Sequence, residues 1–547
     1  MNTTKHSLTF LLVFILSVYL CYIWAYALDI PWMDDTDSFI DSYLIIQDSP
    51  SWKAKLIELA TANNEHRMFV SKLVGYSLVL FTEKLNFKTL ILLHNVLFLA
   101  LLFAIYQLRK ELTTLKPIHW LVFLLFLLTP QYHLTSNWSM GWQTISVLFF
   151  GFLTMFYLPS IKKEHTYLAL LFAFITSFCH GNGPFIWFSS LFLLLLQQRW
   201  KLSIVWFFGA GITFYLYFLN HSIGRNNEAL DYLKSNFTDG FKFFFVFIGS
   251  CGDLFRHLPT QERSIFPFLT GIILFLLFLL GAFFFIRKYR ENTHSITRSH
   301  WTLLGFLLVL ATNGVLVGFL RAYLGFEAII VSNYRVYSAF ILATLTLWLV
   351  SLLPQNTTKF IRKPSYYALA MASIFYLASW HVYLPELRAR KQFLQAHAYN
   401  QQFNGVGLGA LNNSPFYSYL QEKIGEVIKR GVYSYPSYFP TDLQMRFLSA
   451  QPAPAISWNE NDRKISSDVS NVDACYFIFY SDKQLYLIPT KQIYQPRFRF
   501  FTTPTQTYQA ELLPTFFAKN RYQLGLLIEK DGQQTVLASQ QKVHIDF

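Results

Sequence analysis

The chain has 547 residues, of which 53% are hydrophobic and only 14% are charged. Ordinary soluble domains carry about 25% charged residues, so this composition excludes a chain of soluble domains. Because 57 Phe and 32 Tyr must be hidden from water, it also excludes a disordered chain, a coiled coil and a small disulfide scaffold. The net charge of +14 would suit nucleic-acid binding, but membrane proteins also collect Lys and Arg on the cytoplasmic side, so we expect no nucleic-acid partner.

Long apolar runs recur up to residue 384 and predict a polytopic α-helical membrane protein with about eleven transmembrane helices. The first run, 8–28, is longer than the apolar core of a secretory signal, usually about 7–15 residues, so we interpret it as an uncleaved first span. Two shorter apolar segments are not counted as spans: 68–80 is interpreted as an amphipathic helix in the outer interface, and 241–248 as a segment that lies in the interface or re-enters the membrane from it. The other predicted spans are 89–108, 117–132, 141–159, 166–180, 184–197, 202–219, 265–286, 301–321, 335–353 and 365–384.

The charges of the connections indicate how these spans are oriented. With a cytoplasmic N-terminus and no span in 29–88, every inner connection carries Lys or Arg. The short outer connections 133–140, 181–183 and 322–334 carry neither. This is the positive-inside distribution, and we therefore expect a multi-pass protein of the bacterial inner membrane whose C-terminal residues lie in the periplasm.

The composition becomes polar after residue 385. We predict a transmembrane domain at 1–385, with a first outer loop at 29–88, and an extracytoplasmic domain at 386–547 of α+β or β-sandwich-like fold. Helical patterns come first in this domain and strand-like runs follow them. The predicted helices are 385–399 and 419–430, and the predicted hairpins are 475–480 with 484–488 and 522–529 with 535–539, the latter around Asp531-Gly532.

The four cysteines are scattered without a metal-binding spacing. A disulfide between Cys251 and Cys475 would require both residues to face an oxidising compartment.

The first outer loop contains six Asp before its first basic residue, Lys53. Crowded carboxylates repel one another, so they need a bound cation, a basic partner or a proton-abstraction task that uses a raised pKa. The alternative is a solvated loop in which Asp occupies turns and helix caps. Asp34 and Asp35 are the candidates for chemistry.

Further polar residues lie near the predicted outer ends of the spans. Arg67 could bind phosphate and His66 could supply acid–base chemistry, although a helix N-terminus would also explain this segment. Arg321 and Arg335 flank a loop without other basic residues. They form either an anion site or two side chains that reach the lipid headgroups.

A third group of histidine, tryptophan and amide side chains is suited to binding a sugar, although an aromatic belt and a tight hairpin would also explain it. The group comprises His133, Asn137, Trp138, Gln143, His180 and Asn182.

This arrangement resembles the GT-C superfamily of integral-membrane glycosyltransferases. The resemblance covers about residues 1–385 and rests on the acidic pair Asp34-Asp35 after the first span, interfacial helices before the second, at least ten spans and a C-terminal outer domain. Glu65-His66-Arg67 and Tyr334-Arg335 resemble segments of uncharacterised bacterial members. The sequence contains no WWDYG-like box, which argues against an oligosaccharyltransferase.

The resemblance implies inverting transfer of a sugar from a polyprenyl-phosphate carrier to a glycan, lipid or protein acceptor on the outer face. Asp34 or Asp35 would deprotonate the acceptor hydroxyl, and Arg335, helped by Arg321 or Arg67, would hold the donor phosphate. The donor-binding group further includes Tyr334, His66 and Glu65. No cofactor is required, a divalent cation (Mg²⁺ or Mn²⁺) is optional, and its ligands are unknown. The alternatives are a lipid-linked glycan polymerase or ligase, which would use loop 220–264, and a transporter or flippase of a lipid-linked sugar.

Overall fold

The computed structural model describes residues 2–63, 66–219, 226–353, 358–409, 411, 414–498, 501–513 and 516–546. The structure is mostly helical (66%), with a β-sheet region towards the C-terminus. Seven of the described helices are long and apolar enough to cross a membrane, as expected of a multi-pass membrane protein. The predicted combination of an apolar helical part and a C-terminal β region is confirmed.

Helices follow one another along most of the chain, joined by short connections. In chain order they are Asn2–Tyr26, Ser42–Asp48, Trp52–Ala60, Phe69–Thr82, Phe87–Tyr106, Pro117–Leu127, His133–Ser136, Gly141–Tyr157, Lys163–Ser177, Ile186–Leu196, Trp200–Phe218, Asn226–Ser235, Phe237–Ile248, Thr260–Glu291, Arg298–Leu320, Phe326–Ile329, Ser332–Leu352, Thr358–Asn404, Pro415–Lys429 and Leu443–Leu448. A π-helical turn at Thr36–Asp41 precedes the second of them.

Each predicted span coincides with a helix, but several of these helices are short. The seven candidate spans are Phe87–Lys110, Pro117–Ser136, Trp200–Phe218, Thr260–Glu291, Arg298–Leu320, Ser332–Leu352 and Ser365–Asn404. By contrast, Lys163–Ser177 has only 15 residues. A helix rises about 1.5 Å per residue, so 15 residues extend roughly 22 Å, less than the roughly 30 Å of a bilayer core. The count of about eleven spans therefore stays a prediction.

The last predicted span and the helix predicted after it are a single element. Thr358–Asn404 is one helix of 47 residues, and Pro385 lies inside it rather than at its start. Proline removes one backbone hydrogen bond, but its φ angle is compatible with a helix. The helix can therefore continue through Pro385 when the turns on both sides are stable. The last predicted span and the helix predicted from residue 385 are therefore joined without a break in the helix.

The chain forms two compact units. The first unit comprises Met1–Ala27, Ile45–Val74 and Thr89–Leu384, and the second comprises Leu28–Leu44, Gly75–Lys88 and Pro385–Phe547. Two segments of the predicted first outer loop, 28–44 and 75–88, thus belong to the same unit as the C-terminal residues.

The helices of the first unit differ in how far they are buried. Its most buried candidate spans are the central helices Pro117–Ser136, Ser332–Leu352 and Arg298–Leu320, with 83%, 78% and 61% of their apolar windows buried. Thr260–Glu291 and Trp200–Phe218 are buried over only 22% of theirs, and the second of these exposes Phe207 and Phe208. Apolar side chains that face outwards on long helices suit a lipid environment.

The second unit contains two antiparallel-rich sheets. Strands β1 (Ala62–Asn63) and β2 (His66–Arg67) belong to the first unit and pair with each other. The strands of the second unit are β3 (Gln451–Pro452), β4 (Ile456–Asn459), β5 (Lys464–Asp468), β6 (Ala474–Tyr480), β7 (Leu485–Pro489), β8 (Lys491–Phe498), β9 (Phe501–Glu511), β10 (Asn520–Lys530) and β11 (Gln533–Ile545). One sheet has the order β3-β11-β10-β6-β7 and the other β4-β5-β9-β8. Both predicted hairpins are confirmed, and Asp531 and Gly532 have φ of 50° and 76°, as a two-residue type I′ turn requires.

The two sheets share one apolar core. Phe477 and Leu524 from the five-stranded sheet lie in the same buried cluster as Ile465 and Tyr508 from the four-stranded sheet. A second cluster joins the other face of the five-stranded sheet to Ala396 and further helical residues. Because β6 is covered on both faces, its whole length is apolar rather than alternating. The domain is thus a β-sandwich with helices packed on one outer face, which combines both predicted fold classes.

Candidate functional site

The predicted catalytic pair lies on an irregular turn of the second unit. Met33 has a φ of 47° although it is not glycine, and the π-helical turn begins directly after Asp35. The buried Asp35 carboxylate accepts a hydrogen bond of 2.9 Å from the backbone N–H of Trp32, which closes the turn. Left-handed non-glycine residues and π-helical turns are concentrated at functional sites, where the surrounding structure offsets their cost. We call residues 32–41 the acidic turn.

The two neighbouring carboxylates have different environments. Asp35 is fully buried, whereas Asp34 is exposed. Desolvation and the nearby charge of Asp37 raise the pKa of Asp34. A carboxylate that a substrate can reach and whose pKa is raised can act as a general base, so Asp34 is the candidate for this role.

Asp29, just before the turn, was not singled out from the sequence. Its carboxylate accepts hydrogen bonds from the Phe87 N–H (2.7 Å) and the Asn86 side chain (2.8 Å). Burial raises the pKa of Asp29 to about 6, despite these hydrogen bonds. Its position directly after the first apolar run was the available signal in the sequence.

A C-terminal helix partners two more aspartates of the acidic turn. Tyr419 donates a 2.7 Å hydrogen bond to Asp37, and the Lys423 ammonium lies 3.1 Å from Asp41. Tyr419 and Lys423 are four residues apart in the helix, and Asp37 and Asp41 are four residues apart in the turn. One face of the helix Pro415–Lys429 therefore contacts one face of the turn. Burial and the Asp37 carboxylate raise the pKa of Tyr419. A basic partner, one of the three predicted reasons for the crowded carboxylates, is therefore present.

An arginine that the sequence reasoning missed also lies beside the acidic turn. The Arg390 guanidinium carbon is 4.3 Å from the centre of the Trp32 ring, the residue whose N–H binds Asp35. The run Arg388-Ala389-Arg390-Lys391 shortly after the last predicted span was the signal that could have identified it. Within the described ranges, no group of three or more His, Cys, Asp or Glu side chains is arranged to hold a metal ion.

Arg335, predicted to hold a phosphate, belongs to a buried ion network in the first unit. Its Nη2 lies 3.0 Å from Asp253 and its Nη1 donates to the Gln131 carbonyl at 3.1 Å. Asp253 also accepts two 2.7 Å hydrogen bonds from Arg263, which in turn pairs with Glu327 at 3.0 Å. The guanidinium of Arg335 thus already binds a carboxylate of the protein itself.

The charge of Asp253 is fixed by its partners. Burial alone would raise the pKa of Asp253, but the hydrogen bonds from Arg263 and the charges of Arg335 and Arg263 outweigh it, so that the pKa is lowered overall. Arg335 also stacks on Tyr383, with 4.8 Å between the guanidinium carbon and the ring centre. The geometry is that of a structural anchor for the helices that carry these residues.

Arg67 is likewise engaged within the first unit. Its Nε donates to the Tyr217 carbonyl at 2.6 Å, and its terminal nitrogens donate to the carbonyls of Ala60 and Leu219. These carbonyls are at helix C-termini, where arginine commonly satisfies unpaired acceptors. Arg67 therefore joins two helix ends, and we do not carry it forward as a phosphate ligand. Glu65 lies outside the described residues.

Arg321 and Tyr334 are adjacent in the same unit. The Arg321 guanidinium carbon lies 5.6 Å from the Tyr334 ring, and this ring is 5.7 Å from Phe247. Among the described residues, Arg321 forms no ion pair with a carboxylate, whereas Arg335 pairs with Asp253.

His66, His180 and Asn182, predicted for two different roles, meet in the first unit. The rings of His66 and His180 have centres 4.4 Å apart, and His180 Nδ1 is 2.8 Å from the Asn182 side-chain oxygen. The Asn182 amide nitrogen donates to Asn313 and, at 3.0 Å, to the Tyr337 hydroxyl. Asn313 and Tyr337 lie in the apolar runs of two central helices, which gave no signal of this role in the sequence.

The other predicted sugar-binding residues are packed inside the first unit. Asn137 is buried and donates to the Tyr22 hydroxyl at 2.5 Å. Trp138 is 9% exposed and Gln143 is half-buried. His133 is buried, with its ring 6.4 Å from that of Tyr383. Each of these four residues is thus at least half-buried within the first unit.

No protein-family model, curated protein or solved structure matches this chain. The resemblance to the GT-C superfamily stays a prediction. Cys251 and Cys475 are both free and buried, so the disulfide considered between them is not present.

Proposed function

We propose that the chain is a multi-pass inner-membrane glycosyltransferase of the GT-C type, with about eleven spans and an acidic turn that acts at the outer face. It transfers a sugar from a polyprenyl-phosphate carrier to an acceptor hydroxyl. The observation that carries this proposal is the acidic turn itself. An exposed Asp34 with a raised pKa stands beside a buried, hydrogen-bonded Asp35, on a turn with left-handed and π-helical backbone directly after the first apolar helix.

The two aspartates have separate roles in this proposal. Asp34 takes the proton of the acceptor hydroxyl, because it is exposed and its pKa is raised. Asp35 is a positioning residue that holds the turn through the Trp32 N–H. The acceptor oxygen then attacks the anomeric carbon, the bond from that carbon to the phosphate oxygen breaks, and the carrier leaves as a polyprenyl-phosphate anion. Attack from the opposite side inverts the configuration.

The donor phosphate needs a cation near the acidic turn. Arg390 shares Trp32 with Asp35 and belongs to the same unit, so we assign it to the phosphate. A planar guanidinium suits bidentate binding of phosphate oxygens and stabilises the charge that develops on the leaving group. Because the leaving group is already an anion, no general acid is required.

The test is sugar transfer by the full chain purified in nanodiscs, with a radiolabelled sugar on a synthetic polyprenyl phosphate. We expect a labelled product of inverted configuration from the wild type. Asp34→Asn should reduce the rate by about 10²–10⁴-fold, the usual contribution of a general base. Asp48→Asn, in the same acidic segment but outside the turn, is the matched control and should retain the rate.

The alternatives give different results in the same preparation. A transporter or flippase would move the labelled lipid between the leaflets of a vesicle without breaking the bond to phosphate. A polymerase or ligase would transfer an oligosaccharide but not a single sugar. Transfer of a single sugar that is equally fast in Asp34→Asn would overturn the assignment of the base.

A further inference from the structure

A chain of side-chain amides in the first unit determines where the proton of His180 resides. The Asn313 amide nitrogen donates to the Val309 carbonyl at 2.8 Å, so the Asn313 oxygen faces Asn182. The Asn182 nitrogen donates to that oxygen and to the Tyr337 hydroxyl at 3.0 Å. The Asn182 oxygen is therefore left to face His180 Nδ1, 2.8 Å away. Each amide is oriented by the partner before it.

The tautomer of His180 follows from this order. An amide oxygen can only accept a hydrogen bond, so Nδ1 of His180 carries the hydrogen and Nε2 carries a lone pair when the ring is neutral. A histidine ring packed against another ring and an amide, away from bulk water, is disfavoured in its charged form. Among the described residues, His180 Nε2 has no hydrogen-bond partner.

The surroundings of His180 are built closely around it. The His66 ring lies over residue 181, where an added Cβ would come within 2.3 Å of His66 Nδ1. Only glycine at position 181 therefore lets the His66 ring approach His180 to 4.4 Å between ring centres.

We propose that His180 Nε2 accepts a hydrogen bond from a hydroxyl of a polyhydroxylated ligand in the first unit, and that Asn182 and Asn313 are positioning residues that keep the lone pair available. A ring that stays neutral is a weak base but a constant acceptor, so this role is recognition rather than proton transfer. The choice of a sugar as the ligand rests on the proposed function, whereas the tautomer of His180 follows from the hydrogen bonds alone.

The first measurement concerns the tautomer alone. The full chain, labelled with ¹⁵N in its histidine side chains, is compared with His180→Gln by NMR in nanodiscs. We expect the signals lost in the variant to be those of a neutral ring with hydrogen on Nδ1, and Asn182→Ala to populate the other tautomer. Hydrogen on Nε2 of His180 in the wild type would overturn the inference, whatever the protein transfers.

The second measurement concerns the ligand. The probes are radiolabelled polyprenyl phosphates carrying glucose, mannose or N-acetylglucosamine, with sugar-free polyprenyl phosphate as the reference. We expect His180→Ala to weaken binding of at least one sugar-bearing probe about five- to tenfold, roughly the effect of one lost hydrogen bond. Binding of the sugar-free lipid should not change.

A conservative variant separates recognition from structure. His180→Gln should restore binding of the sugar-bearing probe to within about twofold, because a glutamine amide oxygen can take the place of Nε2. An equal loss for both kinds of lipid, or no loss for any probe, would overturn the assignment of the ligand. A normal transfer rate with unchanged probe binding in His180→Ala would contradict this inference and leave the role of Asp34 intact.

Discussion

Two buried aspartates, Asp35 and Asp253, show how the same side chain takes different roles in the two units. Asp253 accepts two hydrogen bonds from Arg263 and pairs with Arg335, so cations hold its pKa below the ordinary range. Asp35 accepts from a backbone N–H, and its neighbour Asp34 has a raised pKa. Both aspartates are buried. The cations beside Asp253 hold its negative charge and join the helices that carry them, whereas the raised pKa of Asp34, next to Asp35, makes the acidic turn a place where a proton can be taken up.

In an apolar chain, a charged residue is a better candidate for function when it is exposed than when other groups of the protein already bind it. Arg335 and Arg67 stood out in the sequence because cations are rare in such places. Both turn out to be engaged by acceptors of the protein itself. The acidic turn keeps an exposed carboxylate next to its buried one, and this makes it the better candidate for chemistry.

The largest expected effect comes from breaking the Asp253 network. Asp253→Ala removes the carboxylate that the buried Arg335 and Arg263 share, and leaves Arg263 with Glu327 alone. Breaking a buried ion pair in this way typically costs about 3–5 kcal/mol. We expect a clear fall of the Tm in detergent, measured with a thiol-reactive fluorescent dye, because Cys179, Cys251 and Cys475 are free and buried in the folded chain.

The matched control for this variant is Asp231→Ala. Asp231 pairs with Lys234 at 2.6 Å, but both side chains are exposed, so the loss should stay below about 1 kcal/mol. Equal Tm values for the two variants would show that the buried network is not an anchor.

An intermediate effect is expected from pH, through Asp29. Its pKa of about 6 lies above the unfolded value near 3.8, so the folded chain binds more protons than the unfolded chain between these values. The contribution of Asp29 to the free energy of unfolding is therefore fully present below about pH 4 and is lost as the pH rises to about 6. The Tm of the wild type, compared with that of Asp29→Asn across this range, checks the sign. A relative gain of wild-type stability as the pH rises would contradict it.

A smaller effect is expected at the helix that partners the acidic turn. Tyr419→Phe removes one hydrogen bond to Asp37, which typically contributes about 1 kcal/mol. We expect a small fall in Tm together with a several-fold loss of transfer, because the turn that carries Asp34 is less well held. Tyr494→Phe, at an exposed position on β8, is the control. If Tyr419→Phe transferred sugar at the wild-type rate, the contact of this helix with Asp37 would have no role in catalysis.

The local elements were largely predictable from the sequence, and the partners were not. Apolar runs and turn residues identified the helices and both hairpins, because hydrophobic period and Asp-Gly turns are local signals. The pairing of Arg335 with Asp253, or of Asp37 with Tyr419, joins residues that are far apart in the chain. No local pattern encodes such a pairing. The same limit explains why Asp34 was identified but its distinction from Asp35 was not.

The rate of sugar transfer by Asp34→Asn and Asp35→Asn, measured beside the wild type at neutral pH, tests the central claim most directly. Asp34→Asn should be slower by at least about 100-fold. Asp35→Asn should be affected less, because the asparagine oxygen can still accept from the Trp32 N–H. Both variants should keep the Tm of the wild type to within a few degrees. A wild-type rate in Asp34→Asn, with the labelled product still formed, would contradict the account.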